Sequence, residues 1–224
     1  GHAVIRGGGI DSYALTLPVI LEVGDHLSKL VRNSSKKNTN FVENMVPRMR
    51  QALYHDMGVR YPGVHVRTDS PNLDNEEYLI LLNEVPIVRG KILRGYLLTN
   101  ESEENLQRYN LSFTTYKNSL GMPSVWVEES HEELLKKAQF KCWHPLEVVI
   151  LHLSYFFQKY STEFVGIQEV KSMLEFMEKS YPDLIKEVTR LIPLQKMTDI
   201  FKRLIQEMVS VKDLRSILES LAEW

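Results

Sequence analysis

The sequence predicts an α+β chain: an α/β unit, a smaller α/β unit inserted into it, and a tail made of helices alone. Three observations carry this. Apolar residues alternate at Leu15, Leu17, Val19, Leu21 and Val23, the period of a strand with one buried face. Short strand-like runs recur on both sides of Gly95, over 64–93 and again at 124–128, with helical segments between them. After Gly166 every apolar stripe has helical spacing. The expected parts are 1–12 as tag or linker, 13–94 together with 145–164 as a first subdomain, 95–144 as an inserted second, and 165–224 as a helical third.

Taken in order, 1–12 holds the Gly7-Gly8-Gly9 run and too little apolar length for the core of a signal peptide. The strand expected over 15–23 leads to a helical turn at 26–31. The polar run 33–40 has nothing apolar to bury and is expected as a loop. Val42, Met45, Met49, Leu53 and Met57 return to helical spacing, and Pro47 interrupts that pattern as its expected first turn. Gly58 is placed to end the helix, and Tyr61-Pro62-Gly63 turns the chain into strands at 64–67, 78–82 and 87–93. The insertion is expected to open at 95–99, with a helix at 101–108, a turn at Gly121-Met122-Pro123, a strand at 124–128, a helix at 132–139 and a short extended piece at 140–143. A helix over 146–160 carries Leu146, Val149, Ile150, Leu153, Phe156 or Phe157, and Tyr160 along one stripe. Helices at 168–179, 181–191 and 194–209 follow, with Pro182 and Pro193 near first turns. In the last stretch Leu214, Ile217, Leu218 and Leu221 fall at i, i+3, i+4 and i+7, with Ser210 as expected N-cap and Lys212 and Asp213 where the helix begins.

Composition narrows the function classes. With 224 residues, 43% hydrophobic and 25% charged, the chain can bury a core of ordinary globular size. A formal net charge of −2 argues against a chain-wide nucleic-acid or anionic-membrane surface. The single Cys142 excludes an intrachain disulfide. No run approaches the roughly 18 to 20 uncharged apolar residues of a membrane span. The closest, 146–157, contains Glu147 and His152.

Catalytic patterns are weak. His144 stands two residues from Cys142, but no family signature surrounds the pair, so a Cys-His hydrolase is only a third reading. The seven His are scattered, and only His144 and His152, about two helical turns apart, invite comparison with a metal site. No phosphate-cradling glycine pattern is present. Paired carboxylates such as Glu103-Glu104 and Glu132-Glu133 lie in polar stretches and read as solvated faces. No cofactor, no metal and no enzymatic activity are therefore expected. The terminal helices are compatible with a winged-helix DNA-binding regulator carrying an α/β sensor domain. Against that, Asp199 and Glu207 share the helix that offers Lys196, Lys202, Arg203 and Gln206.

The final stretch, V-S-V-K-D-L-R-S-I-L-E-S-L-A-E-W, resembles the cytoplasmic part of the FHIPEP family, the export gate of flagellar and virulence type III secretion systems. D-M-G-V-R-Y-P-G-V-H-V-R resembles that family's first subdomain, M-P-S-V-W-V-E-E-S its W-I/V-E-S strand, H-P-L-E-V-V-I-L-H-L the helix returning to the first subdomain, and G-I-Q-E-V-K-S-M-L-E the start of the third. The resemblance implies a first α/β subdomain interrupted by a second, then a winged-helix-like third. It also implies a fragment, with a membrane region before it and a fourth α/β subdomain after it.

Function by this resemblance is docking on a nine-membered homo-oligomeric ring below the channel. Its implied partners are secretion chaperones with bound substrates, a gatekeeper protein and other export components, without nucleic acid. The implied location is the bacterial inner membrane for the intact protein, with this part on the cytoplasmic side. The resemblance places a docking groove between the first two subdomains at Lys117, Leu120, Met122 and Leu151, whose departures from the flagellar pattern favour the virulence branch. Arg203, Lys212, Asp213 and Arg215 are the candidate subunit contacts of the ring.

Overall fold

The computed structural model describes residues 13–36, 39–117 and 123–223. A first mixed sheet has the order β2-β1-β3-β4, built from β1 (Val19–Val23), β2 (His65–Arg67), β3 (Glu77–Leu82) and β4 (Val85–Lys91). β1 runs parallel to β2 and antiparallel to β3, with Leu21 opposite Ile80. One face, formed by Val19, Leu21, Val23, Tyr78, Ile80 and Val88, is buried under α1 (Asp25–Ser34), α2 (Val46–Met57) and α5 (Pro145–Lys159). The other face carries cross-strand ion pairs, Glu22 with Arg67 at 3.3 Å and Glu77 with Arg89 at 3.4 Å.

β1 starts four residues later than the alternation predicts. Leu15 and Leu17 are exposed, and the last ladder contact before β1 is the Asn83 N–H on the Pro18 carbonyl, 2.9 Å. Pro18 has no N–H to add to the sheet. The loop expected at 33–40 gives way to α1 as far as Ser34, because the Ser34 hydroxyl donates to the Val31 carbonyl and accepts from the Phe41 N–H. The helix expected from Phe41 is two pieces. Phe41–Met45 is a π-turn, with Asn40 capping the Glu43 N–H, and α2 proper begins at Val46. Pro47 explains the break: it removes a donor and crowds the carbonyl four residues back. The wider turn rotates Phe41 inward and leaves Val42 exposed, against the expected stripe.

The second sheet is antiparallel, in the order β6-β7-β5-β8: β5 (Tyr96–Thr99), β6 (Phe113–Lys117), β7 (Pro123–Glu128) and β8 (Cys142–Trp143). It carries α3 (Glu103–Arg108), capped by Ser102, and α4 (Glu132–Lys137). Its two faces have different destinations. Leu97, Val127, Leu106, Leu111 and Leu135 close a small core of their own. Leu98 and Trp126, opposite each other in the register, join the main core with Trp143 beside them. The insertion is thus packed into the larger body through one sheet face.

The remainder is α6 (Ile167–Glu178), α7 (Pro182–Leu191), α8 (Leu194–Gln206) and α9 (Leu214–Ala222). Among the described residues of this part there is no strand, so the wing of a winged helix has no counterpart here. α8 ends at Gln206, with Met208 in the left-handed region and the Val209 N–H on the Leu204 carbonyl. The chain then crosses to α2, where the Val211 N–H donates to the Met57 carbonyl at 2.9 Å. That crossing delays α9, whose N-cap is Asp213 and not Ser210: the Asp213 carboxylate accepts from the Ser216 N–H and hydroxyl.

Candidate functional site

Two grooves share α2. The first, about 480 Å³, runs between α2 and α5. Met45, Met49 and Leu53 form one wall, Ile150 and Leu151 the other, and Trp143 of β8 closes one side. Arg48, Asp56 and Glu147 stand on its rim. α5 is set by its first turn, where Pro145 needs no donor and the Glu147 carboxylate accepts the His144 N–H at 3.2 Å. From there Val148, Val149, Leu153, Phe156 and Phe157 go into the core, which leaves Ile150 and Leu151 half-buried along the groove.

Behind that wall lies an unusual core contact. His152 is 1% exposed, and its Nδ1 shares a hydrogen bond with the Tyr78 hydroxyl of β3. Burial pushes the imidazole down to about 4 and the phenol up. Gly90 makes room, since a Cβ there would meet the Tyr78 ring.

The second groove, of similar volume, lies among the end of α2, α6 and the entry to α9. Tyr54 and Gly58, Met173 and Phe176, and Lys212 to Arg215 line it. Its rim is ordered. The Arg215 guanidinium lies 4.5 Å over the Tyr181 ring, donates to the Tyr181 hydroxyl at 3.1 Å and pairs with Glu219 at 2.9 Å. The Glu219 carboxylate and Tyr181 hold that guanidinium above its ordinary range. Hydrogen bonds from Ser216 hold the Asp213 carboxyl below the usual carboxylate value. Lys212 Nζ stands 3.2 Å from His55 Nδ1 of α2.

The residues expected from the sequence are partly brought together. Lys212, Asp213 and Arg215 meet in the second groove, whereas Arg203 lies apart on α8, paired with Glu207 at 3.0 Å. Leu151 lines the first groove, while Lys117 ends β6 opposite Pro123 on the edge of the second sheet. Leu120 and Met122 lie outside the described residues. Sequence reasoning missed Trp143, Met45 and Phe176. Phe176 had a signal: α6 carries Met173 and Phe176 beyond the stripe of Val170, Leu174 and Met177 that the core uses.

Cys142 and His144 do not form a nucleophile and base. Burial, with Glu132 nearby, pushes the thiol up, the reverse of an activated thiolate, and His144 Nε2 pairs instead with Glu132 at 2.8 Å. Among the described residues no group of His, Cys, Asp and Glu is placed to hold a metal ion. No helix among them is long and apolar enough to cross a membrane.

Comparison with known proteins decides the relationship. The model of the FHIPEP family matches residues 9–224. The chain belongs to the FHIPEP family. This FHIPEP chain is 38% identical over 220 residues to the low calcium response locus protein D of Yersinia pestis, covering 98% of the chain and 30% of that protein. It is 66% identical to the solved Chlamydia pneumoniae CdsV protein, with a TM-score of 0.90 over 96% of the chain and 62% of CdsV; the CdsV and CdsO complex gives 0.91 at the same identity and coverage. Nonameric EPEC SctV-C, 20% identical, shares the fold at a TM-score of 0.74, over 95% of the chain and 61% of its own. The FHIPEP chain thus spans about a third of the length of such a curated relative.

Proposed function

We propose that this chain is a cytoplasmic part of a type III secretion export gate of the virulence branch, anchored in the inner membrane in the intact protein. It works without catalysis, as a docking platform in a nine-membered ring that receives chaperone-substrate complexes and a gatekeeper. One observation carries the docking reading. The half-buried Leu151 sits in an apolar groove between the first sheet's helices and the inserted unit, with charges only on the rim. Such a surface gains affinity from its apolar centre and orientation from its rim. Membership of the FHIPEP family and the solved complex of CdsV with CdsO support a platform that meets other proteins.

The ring reading is supported by the nonameric EPEC relative and by the convergence of Lys212, Asp213 and Arg215 on the second groove. These relatives do not favour the DNA-binding regulator. The test is retention of secretion chaperones, their cargo or a gatekeeper on the immobilised chain, weakened by charge changes at Lys117 and Leu151. Salt-sensitive retention of DNA with no secretion component would reverse the reading.

A further inference from the structure

Helix α2 is the common wall of both grooves. Met49, Ala52 and Leu53 face the α2/α5 groove, and Tyr54 and Gly58 face the groove under α6 and α9. Its two ends are held differently. The C-terminal end is pinned, because the Val211 N–H bonds the Met57 carbonyl and a Cβ on Gly58 would lie 2.4 Å from the Lys212 nitrogen. The N-terminal end follows a π-turn, and Pro47 takes one donor out of the ladder there. A helix of 12 residues is about 18 Å long and moves as a body. Pressure at the pinned end is therefore carried to Met45 and Met49. The π-turn offers a second arrangement, since closing it to an α-turn shifts the register ahead of α2 by one residue, and such turns concentrate at functional sites.

The geometry points to α2 as a coupling element: filling the α6/α9 groove moves α2 and alters the α2/α5 groove, so that subunit contact regulates partner docking. This rests on the roles proposed above for the two grooves. By linkage, docking in one groove shifts contact in the other by the same factor.

The test needs no partner. In the full chain with the single thiol removed, Cys142→Ser, the exposed Phe176 on the α6 wall is changed to Cys and modified with N-phenylmaleimide, a stand-in for an apolar side chain in the groove. Hydrogen exchange is followed at 41–53, 146–154 and 168–178. Coupling predicts a change of about threefold or more in amide exchange over 44–49, relative to the unmodified variant. Met173→Cys on the same wall repeats the experiment. Exchange over 41–53 that stays unchanged with both adducts overturns the coupling. That result leaves docking and ring assembly standing, because binding and sedimentation test those separately.

Discussion

A Cβ on Gly58 would lie 2.4 Å from the backbone nitrogen of Lys212, so the end of α2 and the entry to α9 meet where only glycine fits. Gly58 also sits at φ 76°, the left-handed conformation that closes a helix. Sequence reasoning gives the cap; only the tertiary structure shows the close approach that makes the cap a joint between distant segments.

Gly58→Ala therefore meets two penalties, strain at positive φ and a clash with backbone that has no rotamer to give. The expected loss is about 2 kcal/mol or more. Urea unfolding of the two proteins measures it, and a variant within a few tenths of wild type contradicts the joint.

The His152 and Tyr78 pair predicts an acid limb in stability. Buried His152 binds a proton only near pH 4, whereas the unfolded imidazole does so near its ordinary value of about 6.5. The unfolded state therefore holds more protons between those values. Stability is full above about pH 6.5, falls as the pH drops towards 4, and loses about 3 kcal/mol from this group in all. His152→Gln should flatten that limb in unfolding measured from pH 7 to 4. Tyr78→Phe removes the buried hydrogen bond between the phenol and the imidazole and should cost about 1–3 kcal/mol at pH 7.

Ring contact predicts that charge reversal in the second groove weakens self-association without unfolding the chain. Lys212 and Arg215 are exposed and their hydrogen bonds, to His55, Tyr181 and Glu219, are exposed as well, so Lys212→Glu with Arg215→Glu should leave thermal stability close to wild type. Sedimentation over a concentration series should show the variant dissociating at higher concentrations than wild type. Arg203→Glu, outside the groove, serves as the comparison and should matter less.

Much of the fold is legible in the sequence where one period dominates. The α9 stripe of Leu214, Ile217, Leu218 and Leu221 packs on the core as its spacing predicts, whereas α5 buries Val149, Leu153 and Phe156 of its expected stripe, leaves Leu146, Ile150 and Tyr160 half-buried, and buries Val148 and His152 besides. β6 was not legible. It is an edge strand in which only Phe113 and Tyr116 are apolar, so no alternation marks it. The shift from Val42 to Phe41 was not legible either, because it follows from a π-turn that local spacing does not encode. The grooves were the least legible part. Trp143 and Met45 are 98 positions apart in the chain and meet only because the insertion packs one sheet face against the main core.

The central claim is that the groove at Leu151 receives secretion partners, and binding of a purified chaperone-substrate pair from the same secretion system tests it most directly. Calorimetry with wild type and Leu151→Asp, both shown to be folded by circular dichroism, compares the affinities. A buried charge in an apolar contact should weaken binding about tenfold or more while Arg203→Glu leaves it unchanged. Equal affinity for wild type and Leu151→Asp would contradict docking in this groove.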